Sequence, residues 1–393
     1  MANLGKIRIL FFNFYGRLGG GAENSLYDLM TSLDESKFEV ILLLTERGAF
    51  YEKCKHAGIT PDVISFPAAL SRVNRWGFLS GLLKTLMSLF PLSLSYYKLF
   101  KYIYKKKVDI IHCNHPKAFI LGSSCAIVFK KKIIWHVRDI FKSGSLAWFF
   151  LSLFGYIKNL SVICISKAVR RSLPDSYYNK SYVVYNGISE QRFCPVKSSF
   201  ELRREIGLDG EAVVVLTAGR IVPWKRQRDL LEMIKIIHRK KPQLRLIICG
   251  ESLYWRTNYM NELQDYVVKN ALTSIVTFLN YKHNIADYIN MADIVALPSD
   301  NEPFGRVLIE AMCLHKCVIA ANSGGVPEIV RHQETGFLYP TGNIGVLTEG
   351  VLLLADHPKL RTEMGEKGYQ VFRENFTLQA HILQVESLYE HIC

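Results

Sequence analysis

The chain has no C-x-x-C pair among its nine cysteines, and without that spacing neither a zinc ribbon nor a dithiol redox centre can be read from it. The cysteines are expected to be free, buried thiols. Cys313 and Cys317 stand four apart with His315 between them, but no second ligand pair follows at a useful spacing, so no metal site is expected. Long apolar runs are missing too. The uncharged stretches Thr85–Tyr97 and Ser143–Ile157 have 13 and 15 residues, short of the roughly 18–20 that cross a bilayer. The opening MANLGKIRILFF carries Arg8 inside its apolar run and leads into a glycine-rich turn, so it reads as a first strand and not as a secretory h-region. The chain is therefore expected in the cytoplasm. No register of the early glycines gives G-x-G-x-x-G, which argues against a dinucleotide site even though Glu46 follows the second strand.

Acids are absent from one whole segment. Val63–Val108 holds none, against eight basic residues, Arg72, Arg75, Lys84, Lys98, Lys101, Lys105, Lys106 and Lys107. Trp76, Phe78, Phe90, Tyr96, Tyr97, Phe100, Tyr102 and Tyr104 are interleaved with them. The net charge of +14 is lopsided in the same sense: residues 1–196 carry 27 Lys and Arg against 12 Asp and Glu, or +15, and residues 197–393 carry 22 against 23, or −1. A basic, aromatic segment suits an anionic bilayer surface, with rings at the headgroup level and lysines near the phosphates. A helix pair with a solvated basic rim, or a nucleic-acid groove, would use the same residue types. The membrane surface is the preferred reading of 63–108, and nucleic acid is not expected as a partner.

With 393 residues and 49% hydrophobic content, the chain can build two cores. Ile7–Phe12 reads as a strand, Gly16–Gly21 as a glycine-rich turn and Ala22–Leu33 as an amphipathic helix, the opening of a βαβ unit. Strands at Val40–Leu44, Ile110–Cys113, Ile133–Trp135, Val162–Ile165 and Val183–Ile188 continue the alternation. Phe193–Glu201 has a proline, serines and little periodicity, and marks a domain boundary. Strands then resume at Ala212–Ala218, Leu244–Cys249, Ile275–Leu279, Asp293–Leu297 and Val318–Ala320. From Leu347 onward the spacing is helical, broken at His357-Pro358 and near Asn375. The fold class is α/β.

Four features carry chemistry. Arg220 and Lys225 flank one strand-to-helix loop, where a guanidinium and an ammonium beside a helix N-terminus suit a diphosphate. Glu302 is at the tip of the loop after Asp293–Leu297 and Glu310 lies eight residues on, along the helix that the loop starts, although acids on a surface helix would look the same. His136 stands just after Ile133–Trp135, where a histidine faces a cleft or serves as a structural hydrogen-bonder. The glycines before Ala22 let the backbone approach a phosphate or a sugar.

Together these residues form a pattern. Gly219-Arg220 with Lys225, the E-x7-E pair Glu302 and Glu310 within EPFGRVLIEAM, SGGVPEIV at Ser323–Val330, GGGAE at Gly19–Glu23 and NGI at Asn186–Ile188 resemble family 4 of the retaining glycosyltransferases, in order over nearly the full chain. The resemblance implies a GT-B architecture, two Rossmann-like α/β domains facing across a cleft, with C-terminal helices crossing back to the N-terminal domain. The expected divisions are 1–195 on the acceptor side, 196–375 for the nucleotide-sugar donor and 376–393 for the returning helix. It further implies that Arg220 and Lys225 hold the donor diphosphate, that Glu310 binds the ribose hydroxyls and that Glu302 binds hydroxyls of the transferred sugar. Gly20 and Gly21 would approach the donor from across the cleft, His136 would lie beside the sugar, and Phe304, Gly305 and the Gly324-Gly325 turn would shape the donor site. The catalytic set is then His136, Arg220, Lys225 and Glu302. No cofactor is expected, and no metal, because the chain has no D-x-D triplet to hold one. Asn280, where the family commonly has glycine, and Cys249-Gly250-Glu251 depart from the pattern and leave the base open.

The expected function is retaining, metal-independent transfer of a hexosyl unit from a nucleotide-diphosphate sugar to an acceptor glycan, lipid-linked and presented at the inner face of the cell membrane, in polysaccharide or glycolipid biosynthesis. A sugar-nucleotide epimerase on the same frame, or a non-catalytic subunit that binds a sugar nucleotide or a lipid, are the competing readings.

Overall fold

The computed structural model describes residues 5–17, 20–67, 81–208, 210–252 and 257–393, without the side chains of 81–91, 146, 147, 150 and 257. Gly19 of the GGGAE turn lies outside the described residues. So do Arg72, Arg75, Trp76 and Phe78 of the basic segment, together with the side chains of Lys84 and Phe90.

The first half forms a seven-stranded sheet from β1 (Ile7–Phe12), β2 (Phe38–Leu44), β3 (Asp62–Val63), β4 (Ile110–Cys113), β5 (Lys132–Val137), β6 (Leu160–Cys164) and β7 (Ser181–Val183). All pairings are parallel, in the order β3-β2-β1-β4-β5-β6-β7. Its helices are α1 (Gly21–Met30), α2 (Ala49–His56), α3 (Gly81–Lys106), α4 (Pro116–Val128), α5 (Leu146–Phe154) and α6 (Lys167–Arg171). Alternate residues of a strand face opposite ways, and both faces here are apolar because both are covered. Leu10 and Phe12 of β1 pack with Leu99, Ile103, Phe119 and Leu151 from α3, α4 and α5. Ile9 and Phe11 turn to the other side, against Leu26 and Leu29 of α1 and Phe50 of α2.

The second half forms a six-stranded parallel sheet from β8 (Val213–Ala218), β9 (Leu244–Cys249), β10 (Val276–Leu279), β11 (Ile294–Leu297), β12 (Cys317–Ala321) and β13 (Phe337–Tyr339), ordered β10-β9-β8-β11-β12-β13. Its helices are α7 (Ser199–Glu205), α8 (Gln227–Ile237), α9 (Thr257–Lys269), α10 (Ile285–Met291), α11 (Arg306–Cys313), α12 (Ile344–Asp356) and α13 (Pro358–Asn375). The last helix, α14 (Leu378–Ile392), returns to the first sheet. There Leu378, Ile382, Val385 and Tyr389 complete the cluster that holds Ile9 and Phe11. Two parallel Rossmann-like domains are thus joined by a helix that crosses back.

Two chain segments run between the domains, and they are hydrogen-bonded to each other. Ile188 donates its N–H to Phe376 O at 3.0 Å and accepts from Leu378 N at 2.9 Å. The expected strand Val183–Ile188 is misplaced: β7 ends at Val183, and the residues after it leave the sheet to meet the crossing segment. A Cβ on Gly187 would fall 2.4 Å from Thr377 O, so only glycine fits between the two segments.

Strand β5 is longer than expected, and His136 lies inside it rather than after it. Two short edge strands, β3 and β13, were not expected. All nine cysteines are free; seven are buried, and Cys194 and Cys393 are exposed. Among the described residues no three His, Cys, Asp or Glu side chains are grouped to hold a metal, and no helix is long and apolar enough to cross a membrane.

Candidate active site

The loops after β8, β11 and β12 meet at the carboxyl ends of those strands, the edge where open α/β sheets take ligands. After β8, Gly219 (φ 148°) and Gly250 (φ 151°) lie so close that a Cβ on Gly250 would fall on Gly219 O. The loop is tied down by Gln227 Nε2, which donates to Arg220 O at 2.8 Å, and by the Arg226–Asp229 ion pair at 2.8 Å. Arg220 is exposed at its edge.

After β11, Asp300 N donates to Trp224 O at 2.8 Å and Asn301 N to Ser323 Oγ at 2.7 Å. Gly325 N donates to Glu302 O at 2.8 Å. A Cβ on Gly324 (φ 59°) would come within 2.1 Å of that same Glu302 oxygen, so the Gly324-Gly325 turn packs directly under the loop tip. Held in this way, Glu302 places Oε2 2.5 Å from Lys225 Nζ, and its side chain is 8% exposed. Gly305 (φ 97°) starts α11 without a side-chain cap, and a Cβ there would press on Leu297 and Leu308 at 3.0 Å.

The second acid is also paired. Glu310 Oε1 accepts from Arg306 Nε, one helical turn earlier, at 2.9 Å. The remaining nitrogens of Arg306 reach across to α1 of the other domain: Nη1 donates to Ser25 Oγ at 2.8 Å and Nη2 to Asp28 Oδ2 at 3.0 Å. Burial alone would lower the pKa of this guanidinium, but Glu310 and Asp28 outweigh it and hold the pKa above its ordinary value. The turn before α1 closes over both cations. A Cβ on Gly20 (φ 134°) would lie 3.2 Å from Arg220 Nε and Nη2, and one on Gly21 would lie 3.5 Å from Arg306 Cδ.

The sequence model for glycosyl transferases group 1 matches residues 198–371, and that for glycosyltransferase family 4 matches residues 19–192. The chain belongs to the family 4 glycosyltransferases. An uncharacterised glycosyltransferase of Methanocaldococcus jannaschii is 27% identical over 75% of this chain and 79% of its own. The capsular polysaccharide biosynthesis glycosyltransferase CapM of Staphylococcus aureus is 26% identical over 74% of this chain and 79% of its own. The crystal structure of Anabaena HepE in complex with UDP and glucose superposes with a TM-score of 0.84 at 23% identity, covering 98% of this chain and 99% of that one. The GT-B fold is therefore shared.

In this glycosyltransferase the interdomain gap gathers Arg220, Lys225, Glu302, Gly305 and Glu310 on one side and Gly20 and Gly21 on the other. It does not gather every expected residue. The Phe304 ring, 2% exposed, turns away from the gap into an aromatic cluster with Tyr185 and Phe376, at centroid distances of 6.1 and 5.9 Å. His136 is 0% exposed. Its Nδ1 lies 3.2 Å from His112 Nε2 and 3.4 Å from Arg138 Nη2. Arginine only donates, so His136 Nδ1 accepts and its proton is on Nε2. His112 then donates through Nε2 and accepts at Nδ1 from the Tyr389 hydroxyl, 2.7 Å away on α14.

Arg138, two residues after His136, was not among the expected site residues. It is half-buried and donates to Asn114 Oδ1 at 2.8 Å and Asn186 Oδ1 at 2.7 Å. Burial pulls its pKa down to about 9, with Glu23 and Asp139 opposing and Arg306 adding to the fall. The Asp139 carboxyl is raised by partial desolvation among its neighbours, against Arg220 and Arg138, although its surface stays exposed. Arg306, Ser25 and Asp28 were missed. The arginine stands four residues before Glu310, a spacing that signals a helical ion pair, but nothing local points to its partners on α1.

Proposed function

We propose that this chain transfers a sugar from a nucleotide-diphosphate donor to an acceptor glycan with retention of configuration and without a metal. The observation that carries the proposal is the gathering of Arg220, Lys225, Glu302 and Glu310 at the carboxyl ends of β8 and β11, under the Gly20-Gly21 turn. As the glycosidic bond breaks, negative charge grows on the leaving diphosphate. Arg220 and Lys225 stabilise it electrostatically, the task a divalent ion performs elsewhere. Glu302 accepts hydrogen bonds from hydroxyls of the transferred sugar, and Glu310 accepts them from the ribose. The leaving phosphate helps to deprotonate the acceptor on the same face, so the protein chiefly positions and neutralises. HepE was crystallised with UDP-glucose, which makes a uridine donor the first to try.

The acceptor is proposed to be lipid-linked and met at the inner face of the cell membrane, as a step of polysaccharide assembly. The outer layer α3–α4–α5 exposes Tyr97, Tyr104, Ile127, Val128, Phe149 and Leu153 among the exposed Lys98, Lys101 and Lys105. This surface is both apolar and cationic.

The test is incubation of the pure protein with UDP-glucose, UDP-N-acetylglucosamine, GDP-mannose and a polyprenyl-diphosphate glycan, with and without chelator. The anomeric configuration of the product is then read by NMR. Product of retained configuration in both arms is expected. Conversion of the nucleotide sugar without acceptor favours an epimerase, inverted product overturns retention, and loss of turnover with chelator overturns metal independence.

A further inference from the structure

Within the EPFGRVLIEAM stretch, Arg306 reaches the other domain with its side chain, hydrogen-bonding to Ser25 and Asp28. Its planar fork presents donors along fixed edges, and three of its nitrogens are committed: Nε to Glu310, Nη1 to Ser25 and Nη2 to Asp28. The three side chains of the ionic network, Arg306, Asp28 and Glu310, are 15%, 17% and 13% exposed, so solvent screens them little. Gly21 leaves room for the arginine stem. Other cations face the same point. Arg138 and Lys53 both feel the charge of Arg306 as a repulsion. Asp28 and Glu310 offset this repulsion with two ion pairs to Arg306, one of which crosses between the domains.

We propose that Arg306 is a positioning residue that couples occupation of the nucleotide site at Glu310 to closure of the two domains. The inference rests on the reading that Glu310 accepts the ribose hydroxyls. A carboxylate has two oxygens, and Arg306 takes Oε1. A ribose bound at Glu310 therefore meets an acid whose orientation is set by a guanidinium anchored on the opposite domain. Opening the gap removes Ser25 and Asp28 from the guanidinium and frees Glu310 to turn. Nucleotide and closure thus favour each other, and the coupling is reciprocal.

The experiment compares wild type with Asp28→Asn, Ser25→Ala, Arg306→Leu, Arg306→Lys, Glu310→Ala and the Asp28→Asn/Arg306→Leu double variant. Small-angle scattering reports the fraction of open molecules without ligand. Calorimetric titration with UDP, GDP, ADP and dTDP reports affinity. Asp28→Asn, which leaves the second domain untouched, is expected to increase the radius of gyration and weaken nucleotide binding about tenfold. Arg306→Leu should do the same or more, Arg306→Lys should recover part of the loss, and the double variant should bind no worse than Arg306→Leu alone. If Asp28→Asn and Ser25→Ala scatter and bind like wild type, or if the two losses simply add, the coupling is overturned while the ribose reading stands. That reading falls separately if Glu310→Ala binds nucleotide as wild type does, and both fall if wild type binds none of the four.

Discussion

Lys225 Nζ lies 2.5 Å from Glu302 Oε2, and the two side chains are only 16% and 8% exposed. They come from loops after different strands, and each loop is fixed by its own backbone hydrogen bonds. The pair therefore does more than decorate a surface. A desolvated ion pair holds its members in place, and removing one leaves the other as an uncompensated charge.

From this pair follows a separation of stability from activity. Lys225→Met should destabilise the fold by about 3 kcal/mol, since Glu302 is left buried without its cation. The double variant Lys225→Met/Glu302→Gln should regain most of that loss while sugar transfer stays absent in both. Urea unfolding curves and a transfer assay on the same preparations decide it. A double variant as unstable as Lys225→Met would show that the pair does not act through charge compensation.

The turn beneath Glu302 gives a steric prediction. Gly324→Ala places a methyl group within 2.1 Å of Glu302 O, at a φ of 59°, and the loop must move. Transfer should fall by about a hundredfold, in line with the effect of an ångström-scale misplacement in an active site. Gly345→Ala serves as the control. Its new methyl group would meet nothing closer than 3.4 Å, and the helix α12 gains from the change. Equal activity of the two variants would contradict the reading of this turn.

The sheet strands were legible where apolar residues run for four or more positions, as in Ile110–Cys113 and Leu244–Cys249, whose ends agree with the observed ones. The breaks at His357-Pro358 and Asn375 separate α12, α13 and α14 as read. Strands β3 and β13 escaped because two or three residues carry no period. The grouping of Arg220, Lys225, Glu302 and Glu310 was legible through a family pattern, because strand-loop-helix spacing alone favoured ordinary surface acids. Arg306 bonding to Ser25 and Asp28 was not legible at all. Those contacts span 281 and 278 residues, and they depend on how two domains face each other, which no local periodicity encodes.

Acid should loosen the returning helix. Burial pushes His112 down to about 3, His381 to about 4 and His136 well below its usual range, with the charge of Arg138 adding to each fall. All three are neutral in the folded chain at mildly acidic pH, whereas in the unfolded chain each takes up a proton as pH falls through about 6.5. The unfolded state then binds more protons, so stability declines as pH drops below about 6.5 and continues to decline towards about 4. Each imidazole contributes up to about 1.4 kcal/mol per pH unit. His381 belongs to α14 and donates to Tyr185 O at 2.7 Å. Urea midpoints at pH 7.5, 6.5, 5.5 and 5.0 should show a shallower decline in His381→Gln than in wild type. Parallel declines would mean that His381 does not titrate on unfolding. Asp139, whose carboxyl is shifted upward by desolvation, acts in the opposite sense in both proteins and cancels in the comparison.

The outer face of the first domain should bind anionic membranes through two separable terms. On α3, Tyr97 and Tyr104 are 61% and 77% exposed, while Tyr96, Phe100 and Tyr102 pack inward against the core. The expected row of membrane-facing rings is therefore thinned, and α4 and α5 add Ile127, Val128, Phe149 and Leu153 to it. Lysine contacts weaken as salt shortens the Debye length, to about 8 Å at physiological ionic strength, whereas apolar insertion does not. Liposomes of phosphatidylserine and phosphatidylcholine should carry the protein down at low salt, with a residue of binding at high salt. Reversal of Lys98, Lys101 and Lys105 to glutamate should abolish the salt-sensitive part, and Phe149→Ser with Leu153→Ser should abolish the remainder. Binding that survives all five changes would place the contact on another surface, and binding that disappears with the lysines alone would reduce α5 to a bystander.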